Sequence, residues 1–157
     1  MSAAIFFGLL GAAALVMVLW RKVPRRYPYL ARAPLTANEA EFFARLVAAF
    51  PEGFVFPQVS MGALIEPKGG SARDRLAAFR AISQKRVDYV VCDSKLAVVC
   101  VVELDDRTHD ATADQRRDAV LQSAGIQTMR WQSRRKPASH EVRAALLPFT
   151  HVNRSRS

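Results

Sequence analysis

Six of the 14 acidic residues in this 157-residue chain, Glu103, Asp105, Asp106, Asp110, Asp114 and Asp118, fall within 16 positions, and His109 stands among them. Converging carboxylates raise one another's pKa by repulsion, and a bound divalent cation removes that cost. Magnesium asks for only one or two carboxylates, with water and substrate phosphate oxygens completing its shell. In the apolar run "LAVVCVVELD", period-2 alternation sets Glu103 and Asp105 on one face with Val99 and Val101, while Val98, Cys100, Val102 and Leu104 share the other. Asp88 lies among Val87, Tyr89, Val90 and Val91, where a buried aspartate is costly unless paired. In a hairpin turning around Asp93 to Lys95, Asp88 and Glu103 are about equally far from the turn. Opposed positions bring side chains within about 5.5 Å, close enough to share an ion. The plainer partner for Asp88 is Lys85 or Arg86.

These residues need strands and helices to hold them. Thr36 can cap a helix whose third position is Glu39, the spacing of a capping box, and Phe42, Phe43, Leu46, Val47 and Phe50 form its apolar stripe. "FVFPQVS" and "GALIE" read as a strand and its continuation, with Pro57 implying an edge or a bulge. From Pro67 to Arg86 there are six Lys or Arg against one acid, with a short helix expected around Leu76 to Ile82. The strands "VDYVVC" and "LAVVCVVELD" follow, then the helix "ADQRRDAVLQSA" stopped by Gly125, the strand "IQTMRW", and a last short helix in "SHEVRAALLPF". The order predicts an α/β fold, a mixed sheet with helices packed on each side.

Half of the residues are apolar and 24% are charged, a globular composition with room for one domain over residues 36–150 and a polar tail at 151–157. Residues 3–20, "AAIFFGLLGAAALVMVLW", are 18 positions without a charge, enough at helical rise for about 27 Å of a roughly 30 Å hydrocarbon layer. Segment 1–20 is read as a transmembrane anchor, against the alternatives of a cleaved signal peptide or a core helix. Residues 21–35 form a basic, Pro-rich linker in which Arg21, Lys22, Arg25, Arg26 and Arg32 precede any acid. Positive flanks stay in the cytoplasm, which places the N-terminus outside and the remaining domain inside, with anionic headgroups a further partner for the cluster. Without those five charges the formal +9 falls to +4, which is compatible with nucleic-acid binding without requiring it. Cys92 and Cys100, each inside a Val-rich run, are read as small core residues.

The frame of Asp88, "VELDD" from Val102 to Asp106, His109, Arg117, Asp118, Gly125 and Arg130, together with "LTANE" at Leu35 to Glu39, resembles the bacterial domain of unknown function numbered 2726 over roughly residues 35–132. That family is similar to the restriction-endonuclease-like PD-(D/E)XK nucleases and to the very-short-patch-repair nucleases. The resemblance implies a core of helix, three strands, helix and strand. It implies that Asp88 and Glu103 hold Mg²⁺ or Mn²⁺ for hydrolysis of nucleic-acid phosphodiesters, with Glu39 a further acid and no small-molecule cofactor. By the same resemblance His109 is a general base or a phosphate ligand. The superfamily carries Lys two positions after the Glu, and Asp105 stands there instead. An aspartate cannot supply the positive charge that steadies a hydroxide or a pentacovalent phosphate. Either Asp105 is another ligand and Lys85, His109 or Arg130 supplies the charge, or the site binds without cutting.

Asp114 and Asp118, with Arg116 and Arg117, match the pattern of a solvated helix face. His140 and His151 have no partner at metal spacing and are read as surface residues, Trp131 as core. Arg134, Arg135 and Lys136 are either a phosphate contact or a solvated run.

Overall fold

The computed structural model describes residues 27–105 and 111–154. The chain divides into two compact units, Met1–Arg32 and Ala33–Ser157. The apolar segment 3–20, the basic cluster at 21–26 and His109 lie outside the described residues. Among the described residues no helix is long and apolar enough to cross a membrane. Residues 27–36 carry neither helix nor strand, as the prolines of the linker predict.

The second unit runs α1 (Ala37–Ala49), β1 (Phe54–Ser60), α2 (Met61–Leu64), α3 (Ala72–Ser83), β2 (Arg86–Cys92), β3 (Val98–Asp105), α4 (Ala111–Ser123), β4 (Thr128–Gln132) and α5 (Ser139–Arg154). The strands form one sheet in the order β1-β2-β3-β4. β1 and β2, and β2 and β3, pair antiparallel, whereas β3 and β4 pair parallel across the α4 crossover, so the sheet is mixed. The expected α/β architecture is present.

Local chemistry accounts for most of the boundaries. The Thr36–Glu39 capping box starts α1. A second box, Ser71 with Asp74, starts α3 and extends it several residues upstream of the expected helix. Asp93 closes the β2–β3 hairpin by accepting the N–H groups of Lys95 and Ala97 on one carboxylate oxygen, both at 2.9 Å. Gly125, at φ 78, ends α4, as expected of the one residue that tolerates this conformation freely.

Three expectations are overturned. "GALIE" does not continue β1: Ser60 caps the short helix α2 by accepting from the Gly62 N–H, and its hydroxyl donates to the Ser83 carbonyl at 2.7 Å. Those bonds, with Met61 fully buried, turn the chain where β propensity alone would extend it. Val98 and Val99 exchange faces relative to strict alternation, because the register shifts between Val91 and Cys92. Val99 therefore joins Cys100, Val102 and Leu104 in one core while Val98 packs on the other. Finally, α5 is 16 residues long and continues through Pro148 to Arg154, so it is not a short helix.

Each face of the sheet has its own core. On one face, Phe42 and Leu46 of α1 and Val142 and Leu146 of α5 pack on Tyr89, Val91, Cys100, Val102 and Leu104. Phe42 makes edge-on ring contacts with both Tyr89 and Trp131, at 5.8 and 5.6 Å between centroids. Val47 of the expected stripe faces solvent instead. On the other face, Met61, Ile82 and Leu121, from α2, α3 and α4, cover Val87, Val90, Cys92 and Val101. Both cysteines are buried free thiols, as expected, and burial pushes Cys100 up to about 12.

Candidate metal centre

The strand register assembles one polar row across the whole sheet. Tyr89 pairs with Val102, so one step further along the antiparallel ladder Asp88 meets Glu103. Glu103 pairs in turn with Arg130 on β4. On the other side, the pairs Pro57 with Tyr89 and Val59 with Val87 bracket Gln58 opposite Asp88. Gln58 holds φ 55, a left-handed conformation that costs a non-glycine residue strain, and its amide donates to Glu39 Oε1 at 3.5 Å.

Within this row Asp88 and Glu103 touch, as the hairpin arithmetic predicted. Asp88 is oriented by the backbone, its Oδ2 accepting the Leu104 N–H at 2.9 Å. Glu103 is 3% exposed, the one charged side chain in the buried class among the described residues. Burial first, then the Asp88 charge, push its carboxyl up to about 8. A hydrogen bond with Asp88 pushes the same way, and Arg117 and Arg130 pull against the rise. Its Oε1 is buried without a hydrogen-bond partner. The Arg117 guanidinium lies 3.5 Å from that oxygen.

Asp105 is not beside this pair as a free ligand. It accepts from Arg130 Nη1 at 2.9 Å. The same guanidinium meets Asp118 through Nε at 3.2 Å and Nη2 at 2.8 Å, and stands 3.8 Å from Asp114. Burial opposes the charge of Arg130, but hydrogen bonding to Asp118 and the charges of Asp105, Asp118 and Asp114 more than offset it, and its pKa is raised. Glu39 is used at the start of α1, where Oε2 accepts the Thr36 N–H at 2.7 Å and the Glu39 carbonyl accepts from the Tyr89 hydroxyl at 2.8 Å. Among the described residues, no group of three or more His, Cys, Asp or Glu side chains is placed to hold a metal ion. The structure therefore brings together Asp88 and Glu103, and leaves Asp105 and Glu39 in other bonds. His109, Asp106 and Asp110 lie outside the described residues.

The α4 face that the charge pattern assigns to solvent turns inward. Arg117 Nη2 binds Asp114 Oδ1 at 2.9 Å, with both side chains less than one-fifth exposed. The signal was present in the sequence: Asp114, Arg117, Asp118 and the fully buried Leu121 are spaced i, i+3, i+4 and i+7, one helix face. Arg116, off that face, is exposed. Of the later candidates, Lys136 is tied to Asn38 and Glu41 of α1, and His140 is exposed as expected.

These residues fit a hard divalent cation. Two carboxyl groups meet on adjacent strands, one oriented by a backbone N–H and the other retaining an orphan oxygen in a site that penalises its charge. A cation removes that penalty, and two carboxylates suffice for magnesium or manganese.

Residues 31–149 match the family described as "Protein of unknown function (DUF2726)". An uncharacterized protein of Haemophilus influenzae is 33% identical over 100 residues, 61% of this chain and 50% of the relative, so the chain spans about half the length of that protein. No solved structure matches the chain. The family match covers most of the sequence, and the chain belongs to that family.

Proposed function

We propose that this DUF2726 member is a metal-dependent phosphodiesterase of PD-(D/E)XK type that cuts nucleic acid, tethered to the bacterial inner membrane by residues 3–20 with its α/β unit in the cytoplasm. The observation that carries the catalytic reading is Glu103: a buried carboxyl pressed against a second carboxyl, with one oxygen that lacks a hydrogen bond and meets a guanidinium only at 3.5 Å. A buried carboxyl kept for stability alone would have both oxygens hydrogen-bonded. The kinship with restriction-endonuclease-like and very-short-patch-repair nucleases rests on the frame of Asp88, Glu103 and His109.

In this reading Asp88 and Glu103 hold Mg²⁺ or Mn²⁺. When bound, the ion supplies Lewis acidity at the scissile phosphate and lowers the pKa of an attacking water. The chain's own groups do the remainder. The Leu104 N–H fixes the Asp88 carboxylate, and the hairpin sets its distance from Glu103. His109 takes the proton from the attacking water. Asp105 holds Arg130 in place and leaves the ligand role to the other two acids.

The compact unit Ala33–Ser157 contains both cores and is the fragment to assay. Plasmid, single-stranded DNA and RNA are incubated with it in Mg²⁺ or Mn²⁺. Glu103→Gln and Asp88→Asn are each expected to lower cleavage at least a hundredfold, the scale of losing a transition-state contact. Cleavage by the wild type no faster than by Glu103→Gln on every substrate would end the enzymatic reading. A non-enzymatic module binding nucleic acid or a protein at the membrane is the second reading, favoured by Asp105 standing where the superfamily has Lys. Metal-independent nucleic-acid binding that survives Asp88→Ala would support it. The tether predicts that alkaline washing leaves the full chain in the membrane pellet.

A further inference from the structure

The two guanidinium groups over the carboxyl pair are not equivalent. Arg130 makes a two-point contact with Asp118 and a third bond to Asp105. Such a fork is geometrically committed to its carboxylates. Arg117 is held less completely. Its Nη2 bonds Asp114 at 2.9 Å, but the approach to Glu103 stops at 3.5 Å, and its Nε is buried without a hydrogen-bond partner. A structural ion pair in a buried setting closes to about 2.7–2.9 Å and satisfies its donors. Here a donor without a hydrogen bond, Arg117 Nε, and an acceptor without one, Glu103 Oε1, belong to side chains whose nearest atoms stand 3.5 Å apart.

We propose that Arg117 is the phosphate-binding cation of the site, supplying from α4 the positive charge that Asp105 cannot supply from β3. The inference rests on the metal-dependent reading above. A ligand shared by this incompletely bonded guanidinium and the ion beside it must accept from the one and coordinate the other. A phosphodiester oxygen does both. Asp105 then acquires a positioning role, holding Arg130 away from the pair so that Arg117 remains the cation facing Glu103.

The test measures binding, so it does not depend on turnover. A fluorescent DNA oligonucleotide is titrated against the Ala33–Ser157 unit by anisotropy, with and without Ca²⁺ as an ion that supports binding in place of Mg²⁺. Ion binding is followed separately by thermal shift. Wild type is expected to bind at least tenfold tighter with Ca²⁺. Arg117→Gln should lose that increment while keeping the Ca²⁺-induced thermal shift, Arg117→Lys should keep most of it, and Arg116→Gln, altered on the exposed side, should match wild type. An intact thermal shift together with wild-type DNA binding in Arg117→Gln would overturn the role of Arg117 alone. No Ca²⁺ response in wild type, or an identical one in Glu103→Gln, would overturn the metal reading and this inference with it. Should Arg117→Gln not fold, ¹⁵N-arginine-labelled wild type decides. The Arg117 Nε–H resonance must move when oligonucleotide and Ca²⁺ are added together, and an unmoved resonance overturns the proposal.

Discussion

The two faces of the sheet are built to different rules. The face under α1 and α5 is closed by large side chains, with Phe42 fitted edge-on between Tyr89 and Trp131 and Leu46 and Leu146 beside them. The face under α2, α3 and α4 is thinner. Every residue of α3 before Ile82 is exposed, Leu76 and Phe79 included, and a groove of about 750 Å³ runs between α3 and α4 past Leu64, Ala78 and Val120. On that face Val90 and Val101 give way at the sheet's end to Asp88 and Glu103, roofed by Arg117 of α4. One face holds the fold together, and the other gives up packing to keep charged groups close to one another. Buried charges stay expensive unless paired or metal-bound, and that is the cost which the proposed metal site would offset.

The strongest way to break that comparison is to cut into each face. Phe42→Ala on the closed face removes a fully buried ring and is expected to cost about 3–5 kcal/mol in urea unfolding, with the ion-induced thermal shift per mole of folded protein unchanged. A cost below about 1 kcal/mol would mean that the aromatic face is not the stabilising one.

A smaller effect is expected at Glu103, with the opposite sign. The folded carboxyl keeps its proton up to about 8, whereas the unfolded one releases it near the ordinary value of 4.5. Between those limits the unfolded state binds fewer protons, so the metal-free chain loses stability as pH rises through that window. Glu103→Gln should flatten this slope and be the more stable protein at pH 8 without metal, and Mg²⁺ should recover the loss in wild type only. Equal slopes in the two proteins would show that Glu103 is not the burdened group.

The smallest test sits at the sheet's edge. Gln58→Gly relieves the left-handed strain at φ 55 and should stabilise by up to about 1 kcal/mol, the loss of its long bond to Glu39 notwithstanding. Destabilisation by more than that would mean that the amide, rather than the backbone, matters there.

Much of this arrangement was legible residue by residue. Thr36 with Glu39, the Asp93 turn and Gly125 are short-range signals whose physics is complete within a few positions, and each marks a boundary where the chain changes element. The meeting of Asp88 and Glu103 was legible for a related reason, since a hairpin turns equal distances from its turn into contact. What escaped were choices settled by distant partners. Ser60 ends β1 because the Ser83 carbonyl is there to receive its hydroxyl, and Val98 and Val99 exchange faces at a register shift that no alternation rule contains. The inward turn of Arg117 was present as helical spacing with Leu121, but a run of charges conceals an inner face until the sheet beneath it is known.

By itself, then, the amino-acid order determined the mixed α/β fold, the element order apart from the short helix α2, and the carboxyl pair, because capping, turn chemistry and strand pairing across a tight hairpin act over short stretches of chain. Only the tertiary structure decided which carboxylates stay available. Asp105 and Glu103 are equivalent by alternation, yet Arg130, 25 residues beyond Asp105, ties it down. Glu103, two residues earlier, is left in the core with an oxygen that no hydrogen bond from the described chain reaches. Desolvation and ion pairing depend on what packs above a residue, and local sequence does not contain that information.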